Sequence, residues 1–273
     1  MLGSLVIVFR EVIEAGLIVG IVLAASREIA GSKRWVGIGV LAGIVGSVIV
    51  AMFAGAISDA FAGSGQELFN AAVLGAAVVM LTWHNVWMAR HSRELVRDMH
   101  DIGAAVSAGT KPLTALGAVV GLAVLREGSE VVLFLAGVFA SGTSATAILT
   151  GGVLGILAGA VFSAFTYYGL LAIPLRHIFG VTSILIALLA AGMAAQAAQF
   201  LDAAGLINVL NRVLWDTSAI LPQDSILGRL LHILIGYNDR PTELQLLVYI
   251  ATLGVMIGLM RMVRPAAPVR AVA

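Results

Sequence analysis

Two short stretches put charge where the surrounding sequence is apolar. In VFREVIEAGLIVG, residues 8–20, Arg10, Glu11 and Glu14 interrupt a run that is otherwise apolar from Leu2 to Ala25. In VLREGSEVVLFLAG, residues 124–137, Arg126, Glu127 and Glu130 repeat the spacing. At 3.6 residues per turn, R-E-x-x-E brings its three charged side chains within an arc of roughly 100°. Each helix then carries one charged face and is lipophilic elsewhere. Two such faces meeting make a cage of four carboxylates flanked by two guanidiniums.

The charge count gives that cage a purpose. A charge at the centre of a membrane helix costs about 2.5–3.5 kcal/mol, so six exposed to lipid would cost on the order of 15–20 kcal/mol. Pairing Arg10 and Arg126 with glutamates relieves part of this and staples the helices together, which is the bland account. It leaves two negative charges over. They require protons, water or a bound cation. Carboxylate oxygen suits hard ions, whereas copper prefers Cys or Met and zinc usually recruits His. Neither motif contains any of these, and the chain has no cysteine. Thiolate sites, disulfides and thiol catalysis are therefore excluded. The nine methionines are scattered and read as packing. Donor chemistry alone does not separate iron from manganese, calcium or a proton.

The elements that position these residues are membrane helices. The chain is 60% hydrophobic and 11% charged, with mean hydropathy +1.03, outside the range of soluble domains. Crossing a hydrocarbon core of about 30 Å takes about 20 apolar residues. Seven such runs are present: Leu2–Ala25, Val36–Phe61, Leu68–Met88, Leu113–Ala140, Thr146–Ile173, Ile178–Leu201 and Leu244–Met262. The first lacks the basic leader of a signal peptide and is read as a true span. Outside the spans, eleven Lys and Arg fall on one side of the membrane and three on the other. The positive-inside rule then predicts an external N-terminus and a cytoplasmic C-terminus.

The two motifs lie 116 residues apart, and the same shift carries spans 1–3 onto spans 4–6. Three is odd, so the second triplet must cross in the opposite sense. The expected fold is thus an all-α polytopic membrane protein of seven transmembrane helices, a 3+3 inverted repeat plus one additional helix. Such repeats place transporter sites at the midplane. The organisation follows: residues 1–111 form the first repeat with a cytoplasmic loop, 112–205 the inverted second repeat, 206–243 an external interfacial segment, and 244–273 the seventh helix and tail.

Paired R-E-x-x-E motifs in the first and fourth of seven spans resemble the oxidase-dependent iron permease family, which includes fungal high-affinity and bacterial iron-uptake permeases. TWHNVWMARHSREL after span 3, AGMAAQAAQFLDAAGL in span 6 and LWDTSAILPQDSILGRLLHILIGYNDRP before span 7 are similar to its bacterial branch. The resemblance implies that iron is the transported substrate and that Glu11, Glu14, Glu127 and Glu130 are its ligands, with Arg10 and Arg126 balancing charge. It implies a bacterial inner membrane, leaves room for an external ferroxidase or metal donor as partner, and implies no organic cofactor. An intramembrane enzyme is the further class. A di-iron carboxylate oxidase wants Glu-x-x-His pairs, which neither motif has, and five histidines are too few for a histidine-box enzyme, so the chain is read as no enzyme. No basic tract suggests nucleic acid. The fungal motifs usually carry Leu before the final Glu; this chain has Ile13 and Ser129, which leaves every carboxylate in place. A transporter of another hard cation (manganese, calcium) or a proton-coupled transporter is the alternative.

Secondary positions complete a candidate pathway. Asp59 and Glu67 flank the outer 2–3 loop, although acidic loops are usually just solvated. Gln196, Gln199 and Asp202 lie toward the outer end of span 6, where interhelical hydrogen bonding is the competing account. His84 and Asn85 sit near the inner end of span 3 as exit-lining groups, against the bland reading of a bonded structural pair. Gly16, Gly20, Gly117, Gly121, Gly151, Gly155 and Gly159 follow the small-xxx-small spacing of close helix packing. Residues 202–243 are expected to form interfacial helices on the outer surface.

Overall fold

The computed structural model describes residues 1–60, 66–169, 175–223 and 225–263. Its regular structure is helical: α1 (Leu2–Ala25), α2 (Ser32–Ala60), α3 (Gln66–Ser107), α4 (Thr114–Ala140), α5 (Ala145–Tyr167), α6 (Leu175–Ala203), α7 (Ile226–Ile235) and α8 (Glu243–Val263). Five stretches are long and apolar enough to cross a membrane: Ser32–Ala54, Gln66–Met88, Ala145–Tyr167, Gly180–Ala203 and Glu243–Met262. Helices α1 and α4 are as long, 24 and 27 residues. What sets them apart is the three charges each carries at its centre.

Apolar runs and helices agree closely, with one departure. Helix α3 runs for 42 residues, about 63 Å at 1.5 Å per residue, twice the thickness of a hydrocarbon core. The segment expected as a cytoplasmic loop therefore continues the helix to Ser107. Its tail is held by packing: Met99 and Val106 join Val22, Val36, Leu116 and Val120 in a compact apolar cluster. Gly103 lies directly against Ala25, and Ser107 Oγ donates to the Ala25 carbonyl at 2.9 Å. The span ends Phe61 and Ile173 lie outside the described residues.

A second, larger cluster comprises Ile7, Leu74, Leu81, Phe134, Val138, Ile186 and Met193 with their neighbours. Along α1, Ile7 precedes the charged motif and Val22 follows it. Along α4, Val120 precedes and Phe134 follows. The charged residues are thus layered between two apolar plugs, one toward the end of the bundle bearing α7 and one toward the α3 tail.

Pairing among helices is crosswise. Helix α2 packs chiefly on α4, and α5 chiefly on α1. Small residues permit both contacts: a Cβ added at Gly43 would stand 2.6 Å from Val124 Cβ, and one at Gly159 would stand 2.8 Å from Val12 Cβ. Gly151 and Gly155 likewise meet the backbone of α1, Gly117 and Gly121 that of α2, and Gly16 abuts Ser163. The interhelical reading of these glycines is correct.

Between α6 and α8 the chain forms a cap rather than a series of helices. Only α7 is helical there among the described residues, opened by Ser225 Oγ accepting from Gly228 N at 2.9 Å. It is closed by Gly236 at φ 71, a left-handed conformation that favours glycine. The rest is stitched by a bridge between Val213 and Thr242 and by Arg240, which pairs with Asp216 at 3.1 Å. Ser218 hydrogen bonds, then Arg240, hold the Asp216 carboxyl down at about 2.

A carboxylate–imidazole cluster between three helices

Helices α1, α3 and α4 meet at the charged layer. On α1, Arg10 Nε lies 2.8 Å from Glu14 Oε1, and Arg10 NH1 lies 3.9 Å from Glu11 Oε1. On α4, Arg126 Nε donates to Glu130 Oε1 at 3.1 Å and lies 3.8 Å from Glu127. His84 of α3 stands between the two motifs. Its Nε2 is 3.8 Å from Glu11 Oε2 and 3.4 Å from Glu14 Oε2, while Nδ1 contacts Glu130 Oε2. One ligand atom each from Glu11, His84, Glu127 and Glu130 falls within a 4.8 Å span.

Of the four expected glutamates, then, three converge with a histidine. The fourth, Glu14, closes on Arg10 and touches the group through His84. All four carboxylates, Arg10 and His84 are buried. Both oxygens of Glu11, one oxygen each of Glu127 and Glu130, and both nitrogens of His84 lack an aligned hydrogen bond. A buried polar atom left in that state is unfavourable by about 1–3 kcal/mol, more if charged. Several converging on one point form a donor set suited to a metal cation.

The two arginines are not equivalent. Arg10 is 2% exposed, whereas Arg126 is 39% exposed. The Arg126 guanidinium sits 4.3 Å from the centre of the Trp87 ring, a cation–π contact. Trp87 in turn stacks on His91 at 5.0 Å.

His84, expected near the exit, lies within the cluster itself. Neither motif pointed to it, yet α3 carried a signal. Leu74, Ala77, Leu81 and His84 follow one another at helical spacing and are all buried, so His84 shares the core face of its helix. Asn85 turns the other way and donates to the Ser183 carbonyl of α6 at 3.2 Å. Phe134 sets its ring edge-on to His84, centroids 6.3 Å apart.

The remaining candidates lie apart from the cluster. Gln196 and Gln199 line a cavity of about 390 Å³ beneath the cap, together with His232, Asn238 and Gln245. Asp202 accepts from Asn211 at 2.9 Å, a local tie within the cap. Glu67 is exposed in the first turn of α3. Asp59 lies near the end of α2, and its side chain is outside the described residues.

Comparison with known proteins points the same way. The iron permease FTR1 family matches residues 1–269. The chain is 32% identical over 247 residues to a ferrous iron permease EfeU of Escherichia coli O157:H7, covering 89% of each chain. It is 33% identical over 248 residues to its counterpart in Escherichia coli O6:H1, again covering 89% of each. For the ferrous iron permease EfeU of Yersinia pestis, identity is 32% over 249 residues, or 89% of this chain and 87% of the relative. No solved structure matches the chain.

Proposed function

The chain belongs to the iron permease FTR1 family, and on that premise we propose that it carries ferrous iron into the cytoplasm through the cluster of Glu11, Glu127, Glu130 and His84. The family and the named relatives are permeases, so the chain is a transporter rather than an enzyme. The observation that carries the site is the convergence of four ligand atoms from three helices within 4.8 Å. Three carboxylates with one imidazole form a mixed oxygen–nitrogen set. It fits borderline Fe²⁺ better than magnesium or calcium, which favour oxygen alone. Manganese(II) is the second reading the same donors support, and metal competition separates the two. Glu14, paired with Arg10 and 3.4 Å from His84 Nε2, helps to orient the set, as the polar partners of metal ligands do.

Transport through seven spans arranged as an inverted repeat is the architecture we infer. Crosswise packing supports it: exchanging the halves, α1 with α4 and α2 with α5, turns the α2–α4 contact into the α5–α1 contact. The sequences agree at the 116-residue shift, GVLAGIVGS at 39–47 against GILAGAVFS at 155–163. In this reading α1 and α4 span the membrane too, tolerating their charges because those face one another. The α7 cap is outside and the α3 tail inside. The apolar plugs on either side of the cluster are its two gates, so the structure corresponds to an occluded state of alternating access.

Purified protein in liposomes, given radiolabelled Fe²⁺ with competing metals and an imposed pH gradient, tests the proposal. Glu11→Gln or Glu127→Gln is expected to lower uptake by at least the roughly 10–100-fold that loss of an outer-shell partner already brings. Full uptake by either folded variant overturns the site.

A further inference from the structure

The cavity under the cap contains an imidazole that the central cluster does not use. His232, on α7, places Nδ1 2.6 Å from the Tyr237 carbonyl oxygen. A carbonyl can only accept, so Nδ1 carries the proton and Nε2 carries the free lone pair. That is the arrangement of a metal-binding histidine, whose outer nitrogen donates to a carbonyl and thereby fixes the ring. The lone pair faces α6: His232 Nε2 is 2.7 Å from the Gln196 amide nitrogen. That nitrogen donates to His232 and, at 3.4 Å, to the Ser141 carbonyl. Turning the amide over gives up both bonds and leaves oxygen and imidazole nitrogen side by side, an arrangement that a cation between them would stabilise. Their separation is close to the edge of an octahedron, about 3 Å for metal–ligand bonds near 2.1 Å.

The surroundings suit a weak, transient stop. Among the described residues, the lining of the cavity offers amides from Gln196, Gln199, Gln223, Asn238 and Gln245 and no carboxylate; its charged member, Arg240, is paired with Asp216 at 3.1 Å. A site of neutral donors takes a divalent ion without holding it, which is what a stepping-stone on a conduction path requires. The position is also apt. A smaller cleft shares Gln196 and His232 and continues along Ser141, Val138 and Met193. Val138 lies one helical turn from Phe134, whose ring touches His84. The imidazole is held firmly: Gly236 at the end of α7 packs against Gly192 of α6 so tightly that a Cβ at either would lie within 2.8 Å of the other's Cα.

We propose that His232 Nε2 and the Gln196 side-chain amide form a low-affinity docking site for a borderline divalent cation at the outer mouth, through which iron passes before reaching the central cluster. The proposal rests on the iron reading above, and its test is built so that the two fail separately. Full-length protein in nanodiscs is dialysed anaerobically against radiolabelled Fe²⁺. Wild type is expected to bind one tight and one weak equivalent. The double variant Glu11→Gln/Glu127→Gln should keep only the weak one. Adding His232→Gln should abolish it, and adding Gln196→Leu should weaken it at least about tenfold. His232→Gln alone should keep the tight equivalent, which also reports that the fold is intact, and should raise the KM for uptake without lowering kcat. A double variant that binds no iron, or a weak equivalent that survives His232→Gln, overturns the docking site and leaves the central cluster standing. A wild type with the weak equivalent but no tight one overturns the central cluster and leaves the docking site standing.

Discussion

Arg10 and Arg126 occupy matching places in the two motifs but different surroundings, and their substitutions should differ. Arg10→Met strands a buried Glu14 and is expected to destabilise the protein by about 3–5 kcal/mol, the usual effect of breaking a buried pair from one side. Arg126→Met should be milder, because the guanidinium is 39% exposed and removing a charge that is only partly enclosed within a span offsets part of the lost pairing with Glu127 and Glu130. Thermal unfolding in detergent ranks the two, and equal losses would contradict the asymmetry. His84 makes a sharper case. His84→Phe preserves bulk and aromatic packing against Phe134 but removes both nitrogens. Iron uptake is expected to fall as far as in Glu127→Gln while protein level in the membrane holds; uptake close to wild type would reduce His84 to a packing residue. The glutamates were legible in the sequence because R-E-x-x-E is a local pattern whose geometry a helix dictates. The histidine was legible only as a pathway candidate, because its partners lie on two other helices and only the tertiary fold brings them together. The surplus of negative charge hinted that something else had to be present.

At the scale of helices, glycine sets the distance. Gly43 and Gly159 stand at the same place in GVLAGIVGS and GILAGAVFS, and each lets a valine of the opposing helix approach. Gly43→Ala and Gly159→Ala should each destabilise by about 1–3 kcal/mol, as overpacking does, and by similar amounts if the halves are structural counterparts. Differential scanning fluorimetry on the two variants reads this directly; a large disparity would argue that crosswise packing is coincidental. Helix positions were readable from hydropathy to within a few residues at most ends, and five of the apolar runs overlap stretches long and apolar enough to cross a membrane. The tail of α3 was not. After Met88 the sequence turns polar, and hydropathy registers a loop there, although Met99 and Val106 keep helical spacing toward the second apolar cluster. The cap was only partly legible. Its one helix has apolar spacing and a glycine stop, whereas the bridge from Val213 to Thr242 joins residues whose pairing no local pattern reveals.

For the whole molecule, the absence of cysteine is an experimental convenience. Ala219→Cys in the cap and Ala108→Cys beyond the α3 tail each introduce a sole thiol at an exposed position. A membrane-impermeant maleimide applied to intact cells is expected to label the first and to reach the second only after permeabilisation; the reverse pattern would invert the proposed orientation. The long third helix has a further mechanical meaning. His84 and Val106 lie on one uninterrupted rod, about 33 Å apart at 1.5 Å per residue, and the far end is bolted to Ala25 by a glycine contact and a hydroxyl hydrogen bond. Tilting the rod by about 10° about the imidazole sweeps its far end through roughly 6 Å. In the proposed reading the tail is a lever arm: one unbroken helix joins the iron site to the far face of the bilayer, so that the two ends move together.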